Sequence, residues 1–435
     1  MTRGFYYVIG AQTFSALADN ALFIAAIALI QQLSGPDWMA SIMKWWVAVG
    51  YVVLAAYVGA FADTHPKGRV MLWTNSLKVV GCAVMYFHGA FNLSGDHQIA
   101  LVCLSFAIVG IGAAAYSPAK YGIITEMLPP EDLVKGNSWI EGMTVLSIIL
   151  GAVLGGILIS PSVSSWLLAH PPIGLLANSP AEAAIVVIAV LYAIAAWLNF
   201  RIPDTGVRYP AQSFNALALN RIFFRYVSIL WRDKLGQISL AVTTLFWGAG
   251  ATLQLVVIEW GKVQLNYRLD QASILMGVAA IGTICGAIAA SKVSIQRSLS
   301  VLPVGVGMGL IVLLMPFVES TWAVYALLWL IGGLSGYFVV PMNALLQHRG
   351  HVLLSAGHSI AVQNFNEQLN ILALVSIYTV LLWLEMPINT IIVAFGVMVA
   401  ALMAVIIRWN HLNHKKAPQL HQQIGDAGYG RSLSG

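Results

Sequence analysis

The sequence has very little charge for its length. Of its 435 residues only 9% are charged, whereas 59% are hydrophobic and the mean hydropathy is +0.80. A soluble domain typically carries about 25% charged residues, so this chain does not have enough polar side chains to cover a water-exposed surface. The composition predicts a multi-pass membrane protein, in which each crossing needs about 20 apolar residues.

Cysteine is also scarce, and the motifs of common catalytic sites are missing. The three cysteines, Cys82, Cys103 and Cys285, lie in apolar runs and indicate no disulfide framework. The chain has no H-E-x-x-H zinc helix, no G-x-S-x-G nucleophile turn and no G-x-x-x-x-G-K-[ST] phosphate loop. Its ten histidines are not at metal-ligand spacing. We therefore expect no enzyme activity, no cofactor, no metal site and no binding to nucleic acid.

Long apolar runs fill most of the chain and predict an all-α polytopic membrane protein. Windows of about 19 residues predict twelve transmembrane helices at 5–31, 39–62, 70–91, 98–124, 134–160, 182–202, 238–261, 271–291, 299–318, 321–346, 355–383 and 387–409. The organisation we expect is an N-terminal six-helix bundle (1–202), a cytoplasmic linker with an amphipathic helix (203–237), a C-terminal six-helix bundle (238–409) and a disordered cytoplasmic tail (410–435).

The distribution of basic residues predicts the orientation, because cytoplasmic loops carry an excess of Lys and Arg. With the N-terminus inside, one side of the membrane takes almost all of them. The residues predicted to be cytoplasmic are Arg3, Lys67, Arg69, Lys135, Arg201, Arg208, Arg221, Arg225, Arg232, Lys234, Lys292, Arg297, Arg349, Lys415, Lys416 and Arg431, against Lys44, Lys262 and Arg268 on the other side. Both termini are therefore expected in the cytoplasm.

The two halves of the chain resemble each other. "GIGAAAYSPAKYG" in the fourth predicted helix parallels "GLSGYFVVPMNAL" in the tenth, which aligns Pro118 with Pro341 and Lys120 with Asn343. Internal repeats whose termini share one side of the membrane are typical of transporters built from two bundles around a substrate pathway.

The loop between the second and third predicted helices carries a recognisable motif. In "GAFADTHPKGRVM", Gly59 and Asp63 end one helix, and Lys67 and Arg69 follow in a short turn. This resembles the G-x-x-x-D-…-G-R signature of the major facilitator superfamily. We expect Gly59 to permit a close helix approach and Asp63 to pair with a basic loop residue or a helix N-terminus. The four residues would then latch one of two conformational states.

Polar residues that interrupt the apolar runs are candidates for a transport site. An ionisable side chain at bilayer depth costs about 2.5–3.5 kcal/mol on insertion scales and marks a function by default. Asn and Gln there are about as often simple interhelical contacts. The candidates for substrate binding are Asp19, Asn20, Lys120, Glu141, Gln254, Asn343, Gln363, Asn364 and Glu367, with helix kinks at Pro118 and Pro341.

These candidates carry both signs of charge. Lys120 suits a phosphate, whereas the carboxylates of Asp19, Glu141 and Glu367 suit an amine or hydroxyl headgroup. The mixture favours a zwitterionic or phosphate-bearing amphiphile, although sugars and drugs also use mixed cavities. Lys78, alone on its predicted helix, is interpreted as a lysine that snorkels to the membrane surface.

Five stretches sharpen this interpretation: "SALADNALF", "VGIGAAAYSPAKYGI", "FWGAGATLQ", "FVVPMNALLQHRG" and "SAGHSIAVQNFNEQ". Together they are similar to the bacterial lysophospholipid transporters of the major facilitator superfamily, from the first predicted helix to the eleventh. The resemblance implies an inner-membrane flippase that moves lysophospholipids such as lysophosphatidylethanolamine from the outer to the inner leaflet. It also implies a cytosolic partner, the acyltransferase/acyl-carrier-protein synthetase that restores the missing chain. We expect a monomer.

One position departs from the family pattern, which has Arg where this chain has Gln254. An ion pair between Asp19 and that arginine cannot form here. Asp19 then needs another partner, for which Lys120, a bound cation or a proton are the alternatives. A proton-coupled exporter of drugs or other amphiphiles, with Asp19 or Glu367 as the proton carrier, is the rival interpretation, and a non-transporting membrane scaffold is a third.

Overall fold

The structure is a computed structural model that describes residues 3–91, 94–128, 133–207, 215–290, 292–354 and 356–417. The described chain contains twelve helices that are long and apolar enough to cross a membrane, which confirms the predicted number. Its α-helices are α1 (Arg3–Gln32), α2 (Met39–Thr64), α3 (Lys67–Tyr86), α4 (Gly95–Met127), α5 (Leu133–Ile159), α6 (Pro161–Ala169), α7 (Ile173–Leu176), α8 (Pro180–Phe200), α9 (Ala216–Arg232), α10 (Lys234–Leu265), α11 (Leu269–Ala290), α12 (Leu302–Val312), α13 (Thr321–Leu353), α14 (Ala356–Trp383) and α15 (Ile388–Lys416).

The C-terminal boundary of the last helix differs from the prediction. Helix α15 continues to Lys416, so residues 410–416 are helical, and the expectation of a disordered tail from 410 is wrong there. The buried amide of Asn413 explains the extension, because its Nδ2 donates to the Lys234 carbonyl at the start of α10, 3.3 Å away. Basic residues in the last turn also complement the helix dipole. Residues 418–435 lie outside the described part of the chain.

The chain divides into two compact units. Unit 1 contains residues 1–216 and 267–277, and unit 2 contains residues 217–266 and 278–435. In unit 1, α1 packs against α5 and α8, and α3 packs against α4 and α8. In unit 2, α10 packs against α14, α13 and α15, while α12 packs against α15. Each unit has its own apolar core.

The internal repeat is visible in the helices that carry the aligned prolines. Helices α4 and α13 are each 33 residues long, with Pro118 inside the first and Pro341 inside the second. A proline inside a helix removes one backbone hydrogen bond and clashes with the preceding turn. Both helices nevertheless continue through their prolines, and a kink at these positions stays a prediction.

The linker helix α9 is held against other helices of unit 2 by aromatic side chains. The ring centroids of Phe223 and Phe365 are 5.2 Å apart, and those of Trp231 and Trp409 are 6.4 Å apart and nearly parallel. The indole Nε1 of Trp231 also donates to Asn366 Oδ1 at 2.9 Å. These contacts connect α9 to α14 and α15 through one face, while its arginines at 221, 225 and 232 are exposed.

Candidate functional site

A buried ion pair joins two helices in unit 1. The Nζ of Lys78 on α3 lies 2.8 Å from Oδ2 of Asp19 on α1. Tyr192, on α8, donates its hydroxyl to the other carboxylate oxygen, Oδ1, at 2.6 Å. Lys78 Nζ also donates to Ser15 Oγ at 2.9 Å, and that hydroxyl donates to Asn75 Oδ1 at 2.7 Å. The carboxylate thus has a partner on each oxygen, contributed by a different helix.

The two charges differ in their exposure. The side chain of Lys78 is 1% exposed, whereas that of Asp19 is 27% exposed. The aromatic rings of Tyr116 and Tyr192 lie 5.4 and 5.6 Å from the ammonium, which is within cation–π distance. Asp19 is therefore the member of the pair that a ligand can reach. Lys78 holds the Asp19 carboxylate in position from its buried side.

A glycine on α4 makes room for the Lys78 side chain. A Cβ added at Gly112 would lie 2.9 Å from Cγ of Lys78 and 2.9 Å from the Thr74 carbonyl oxygen. Helices α3 and α4 therefore approach closely at this point, and the aliphatic part of Lys78 passes over the glycine. This small residue allows a long cationic side chain to lie wholly inside the unit.

The geometry corrects two expectations. Lys78 does not snorkel to the membrane surface, because its ammonium is buried on Asp19 and Ser15. The partner of Asp19 is Lys78, and neither Lys120 nor a bound cation is needed to balance it. The sequence signal was present, since Lys78 is an ionisable residue inside an apolar run, but composition does not reveal a partner 59 positions away.

The other unit 1 candidates have different surroundings. Asn20 donates Nδ2 to the Ala16 carbonyl of its own helix at 2.9 Å, so its amide is satisfied locally. Lys120 is 7% exposed, and its Nζ lies 4.3 Å from the centroid of the Tyr121 ring. The side chain of Glu141 lies outside the described part of the structure.

In unit 2, two of the α14 candidates meet one on α13. Gln363 Nε2 donates to Glu367 Oε1 at 2.7 Å and to Asn343 Oδ1 at 3.3 Å. Glu367 is 7% exposed, so its carboxylate is oriented by an amide inside the unit. Asn364 is half-buried on the same helix, and Gln254 is buried on α10.

Two further amides on α14 hold helices together. Asn370 donates Nδ2 to the Thr244 carbonyl at 2.8 Å, and a Cβ added at Gly248 would collide with that amide. Asn366 donates Nδ2 to the Val362 carbonyl at 2.7 Å while it accepts from Trp231. The polar run on α14 therefore combines helix-packing amides with the cluster around Glu367.

The loop motif contains a buried ion pair with a residue that sequence reasoning missed. Lys67 Nζ lies 3.3 Å from Glu126 Oε1 at the end of α4, and both side chains are less than 5% exposed. Thr205 Oγ1 donates to the other carboxylate oxygen at 2.6 Å. A Cβ at Gly122 would lie 2.5 Å from Cε of Lys67, so this lysine, like Lys78, crosses a glycine of α4.

The remaining members of the predicted latch contribute less. Arg69 is exposed in the first turn of α3. A Cβ at Gly59 would meet no described atom within 4 Å, so the described residues make no close approach there, and the latch role of Gly59 stays a prediction. The side chain of Asp63 lies outside the described part.

The arrangement suits the handling of a charged group. Within the described residues no three His, Cys, Asp or Glu side chains are close enough to hold a metal ion. A carboxylate with one accessible edge can bind an ammonium group, while the buried lysine holds the carboxylate in position.

Comparisons with known proteins agree with the architecture. The family model "Major Facilitator Superfamily" matches residues 8–373. The "Lysophospholipid transporter LplT" of Yersinia enterocolitica is 40% identical over 391 residues, covering 89% of each chain. That of Citrobacter koseri is 38% identical over 411 residues, covering 94% of this chain and 96% of the relative. The relatives are named transporters, in agreement with the prediction that the chain is not an enzyme.

Solved structures show the same fold at low sequence identity. A bacterial homologue of the human lysosomal transporter Spinster has a TM-score of 0.63 at 15% identity, covering 95% of this chain and 99% of that one. A bacterial homologue of the iron transporter ferroportin has a TM-score of 0.65 at 14% identity, covering 94% of this chain and 100% of that one. The chain is a multi-pass membrane protein that belongs to the major facilitator superfamily and, within it, to the family of the bacterial lysophospholipid transporters.

Proposed function

We propose that this protein moves lysophospholipids of the lysophosphatidylethanolamine type from the outer to the inner leaflet of the bacterial inner membrane. The observation that carries the proposal is the identity of 35–40% to named lysophospholipid transporters over about nine-tenths of the chain. Transport would proceed by alternating access, with the substrate reaching the pathway sideways from the bilayer. The product would be re-acylated in the cytoplasm, where both termini would lie.

The ion pair on α1 supports a headgroup-binding role. A zwitterionic headgroup has an ammonium group and a phosphate, so an accessible carboxylate and a second lysine can pair with both of its charges. The accessible edge of Asp19 would take the ammonium group. Lys120, buried on α4, would take the phosphate.

Further polar candidates would guide the headgroup. Glu367, oriented by Gln363, offers a second carboxylate for an amine or hydroxyl group. Asn20, Glu141, Gln254, Asn343 and Asn364 remain candidates on the same grounds. The Lys67–Glu126 pair would act as a latch that opens and closes as the conformation changes. The acyltransferase/acyl-carrier-protein synthetase would be the cytosolic partner of a monomeric transporter.

The test is a leaflet-transfer assay with labelled lysophosphatidylethanolamine in proteoliposomes, run with and without ion gradients. Asp19→Asn removes a charge-assisted contact worth about 1.5–3 kcal/mol, so transfer should fall about 10- to 100-fold. Lys120→Met should also lose most transfer.

Lys262→Met is the matched control, because it removes a half-buried lysine whose pair with Glu259 lies within one helix at 3.0 Å. We expect it to keep nearly normal transfer. Normal transfer by the Asp19→Asn/Lys120→Met double variant would refute the assigned residues. Gradient-dependent drug efflux without lysolipid transfer would favour the exporter, and retained partner binding with neither activity would favour the scaffold.

A further inference from the structure

Unit 2 contains an apolar cavity that the polar candidates do not explain. It has a volume of about 70 Å³ and lies among α10, α12, α13 and α15. Ser335 is the one hydroxyl-bearing residue in its lining, and no charged residue contributes to it. The residues that matter below are Phe246, Gly250, Leu253, Met308, Ser335 and Phe395.

The cavity has a closed floor and an accessible mouth. The lining residues from α15, such as Phe395 and Met403, are buried, as is Phe338 from α13. On the α10 side, Phe246 and Leu253 are only half-buried, and Gly250 is exposed. These α10 positions recur at spacings of three and four, so they form one face of the helix. Met308 on α12 and Ser335 on α13 are also half-buried, so a ligand would enter on the side formed by these residues and α10 and end against the buried floor.

The chemistry of the lining selects an alkyl chain. A cavity lined by hydrocarbon does not hold water stably, and it accepts apolar ligands instead. Burial of each methylene group contributes about 0.8 kcal/mol, so a chain end that fills the space binds without any hydrogen bond. The small volume admits one chain end and excludes a bulky or charged group.

A polar cluster lies further along the same helix. Ser335 and Asn343 are eight residues apart on α13, which is about 12 Å along the axis at about 1.5 Å per residue. Asn343 belongs to the cluster with Gln363 and Glu367. Unit 2 thus presents polar groups and an apolar pocket in the order that the headgroup and the tail of an amphiphile require.

We propose that this cavity binds the end of the acyl chain of the transported lysophospholipid and so sets the preferred chain length. The inference rests on the proposed function, which supplies the class of substrate. A single-tailed lipid can place its one chain in the pocket, whereas a diacyl lipid would leave its second chain without a place in it. The pocket would therefore also favour lysophospholipids over intact phospholipids.

Two glycines of unit 2 provide a matched test. A Cβ at Gly250 meets no described atom within 4 Å, and Gly250 lines the cavity. A Cβ at Gly307 is equally unhindered, but Gly307, on α12, does not line the cavity. Both Gly→Leu substitutions sit inside helices and raise helix propensity alike. Only Gly250 lines the cavity, so a difference between the two variants reports on the cavity.

The measurement is transfer of lysophosphatidylethanolamines with 4-carbon and 18-carbon chains into proteoliposomes. If Gly250→Leu displaces roughly three buried methylene groups, transfer of the long-chain substrate should fall about 50-fold. Transfer of the short-chain substrate, which does not reach the floor, should stay within about twofold of the wild type, and Gly307→Leu should resemble the wild type with both. A photoreactive diazirine on the terminal carbon should label Leu253 and Met308.

The possible outcomes separate the two proposals. Lysolipid transfer by the wild type, with equal effects of Gly250→Leu on both chain lengths, would overturn the cavity assignment alone. Equal labelling of the pocket by a diacyl lipid carrying the same diazirine would also overturn it, because a bilayer chain would then be the occupant. Absence of lysolipid transfer by the wild type would instead refute the proposed function.

Discussion

At the scale of single residues, the Asp19–Lys78 pair makes an asymmetric prediction about stability. Removing one member of a buried ion pair costs about 3–5 kcal/mol, because the remaining charge has no partner. Asp19→Asn leaves Lys78 unpaired at 1% exposure, whereas Lys78→Met leaves Asp19 unpaired at 27% exposure. We therefore expect Asp19→Asn to lower the melting temperature in detergent more than Lys78→Met does. Thermal unfolding of the purified variants measures this difference.

The double variant separates stability from transport. Asp19→Asn/Lys78→Met removes both charges and keeps similar volumes, and such replacements of buried pairs are often neutral or stabilising. Its melting temperature should return toward the wild-type value while lysolipid transfer stays low, since the headgroup contact is still missing. If the double variant melted as early as Asp19→Asn, or transported normally, the pair would not have the role proposed here.

Two glycines of α4 show how single positions permit buried charge. Gly112 lies under Lys78 and Gly122 lies under Lys67, and in each place a Cβ would come within 3 Å of the lysine side chain. The two lysines belong to α3, so the same pair of helices buries both of them. Glycine in a helix interior reduces the stability of the helix by roughly 0.8–1.0 kcal/mol relative to Ala. At these two positions that loss is accompanied by the space that the lysines of the ion pairs need.

At the scale of elements, the linker helix α9 contacts α14, the helix that carries Gln363 and Glu367 of the unit 2 cluster. Trp231 donates to Asn366, and Phe223 and Phe224 pack on Phe365. Phe365 and Asn366 lie between Gln363 and Glu367 in the sequence of α14. In this stretch of α14, Phe365 and Asn366 contact the linker helix, whereas Gln363 and Glu367 form the polar cluster. A displacement of α9 would therefore shift the side chains of the cluster.

The contacts of Trp231 predict how strongly α9 is attached to α14 and α15. Trp231→Leu removes the donor to Asn366 and the parallel stacking on Trp409. Loss of a partly buried hydrogen bond and an aromatic contact costs about 1–3 kcal/mol. We expect faster hydrogen exchange in α9 and faster tryptic cleavage at its exposed arginines, such as Arg221 and Arg225.

The control for α9 is Trp322→Leu. Trp322 is 80% exposed at the start of α13, so its removal should leave exchange and cleavage in α9 unchanged. If the rates of hydrogen exchange and tryptic cleavage in α9 were the same in Trp231→Leu as in Trp322→Leu, the aromatic contacts would not be what holds the helix. Both variants retain the remaining tryptophans, which allows the same fluorescence controls for folding.

At the scale of the whole molecule, the sequence predicted the helices better than the contacts among them. Twelve apolar runs are a strong signal because a run of about 20 apolar residues matches a membrane-spanning helix, which satisfies all of its backbone hydrogen bonds internally. The Asp19–Lys78 and Lys67–Glu126 pairs were missed because each joins residues about 59 positions apart. Pairing across helices depends on their packing, which hydropathy does not encode. The extra turns of α15 were missed for a similar reason, since Asn413 is held by a carbonyl of α10.

The orientation of the whole chain is the last prediction, and two serines make it testable. Ser294 and Ser320 each precede a helix as its N-cap, and neither side chain makes a capping hydrogen bond. Both are exposed, so cysteine should replace either without harm. Lys292 and Arg297 flank Ser294, whereas Ser320 is preceded by Glu319. The excess of basic residues on cytoplasmic loops therefore puts Ser294 inside and Ser320 outside.

Single cysteines at these positions, in a background with Cys82, Cys103 and Cys285 replaced by alanine, report the side directly. A membrane-impermeant maleimide should label Ser320→Cys in cells whose outer membrane has been permeabilised. It should label Ser294→Cys only after the inner membrane is broken. The reverse pattern would place both termini outside, and the leaflet from which lysolipids are taken would then have to be reversed as well. Labelling of each variant after lysis gives its full reactivity. The ratio of labelling before lysis to labelling after lysis therefore removes differences in reactivity that local structure causes, and the two variants serve as controls for each other.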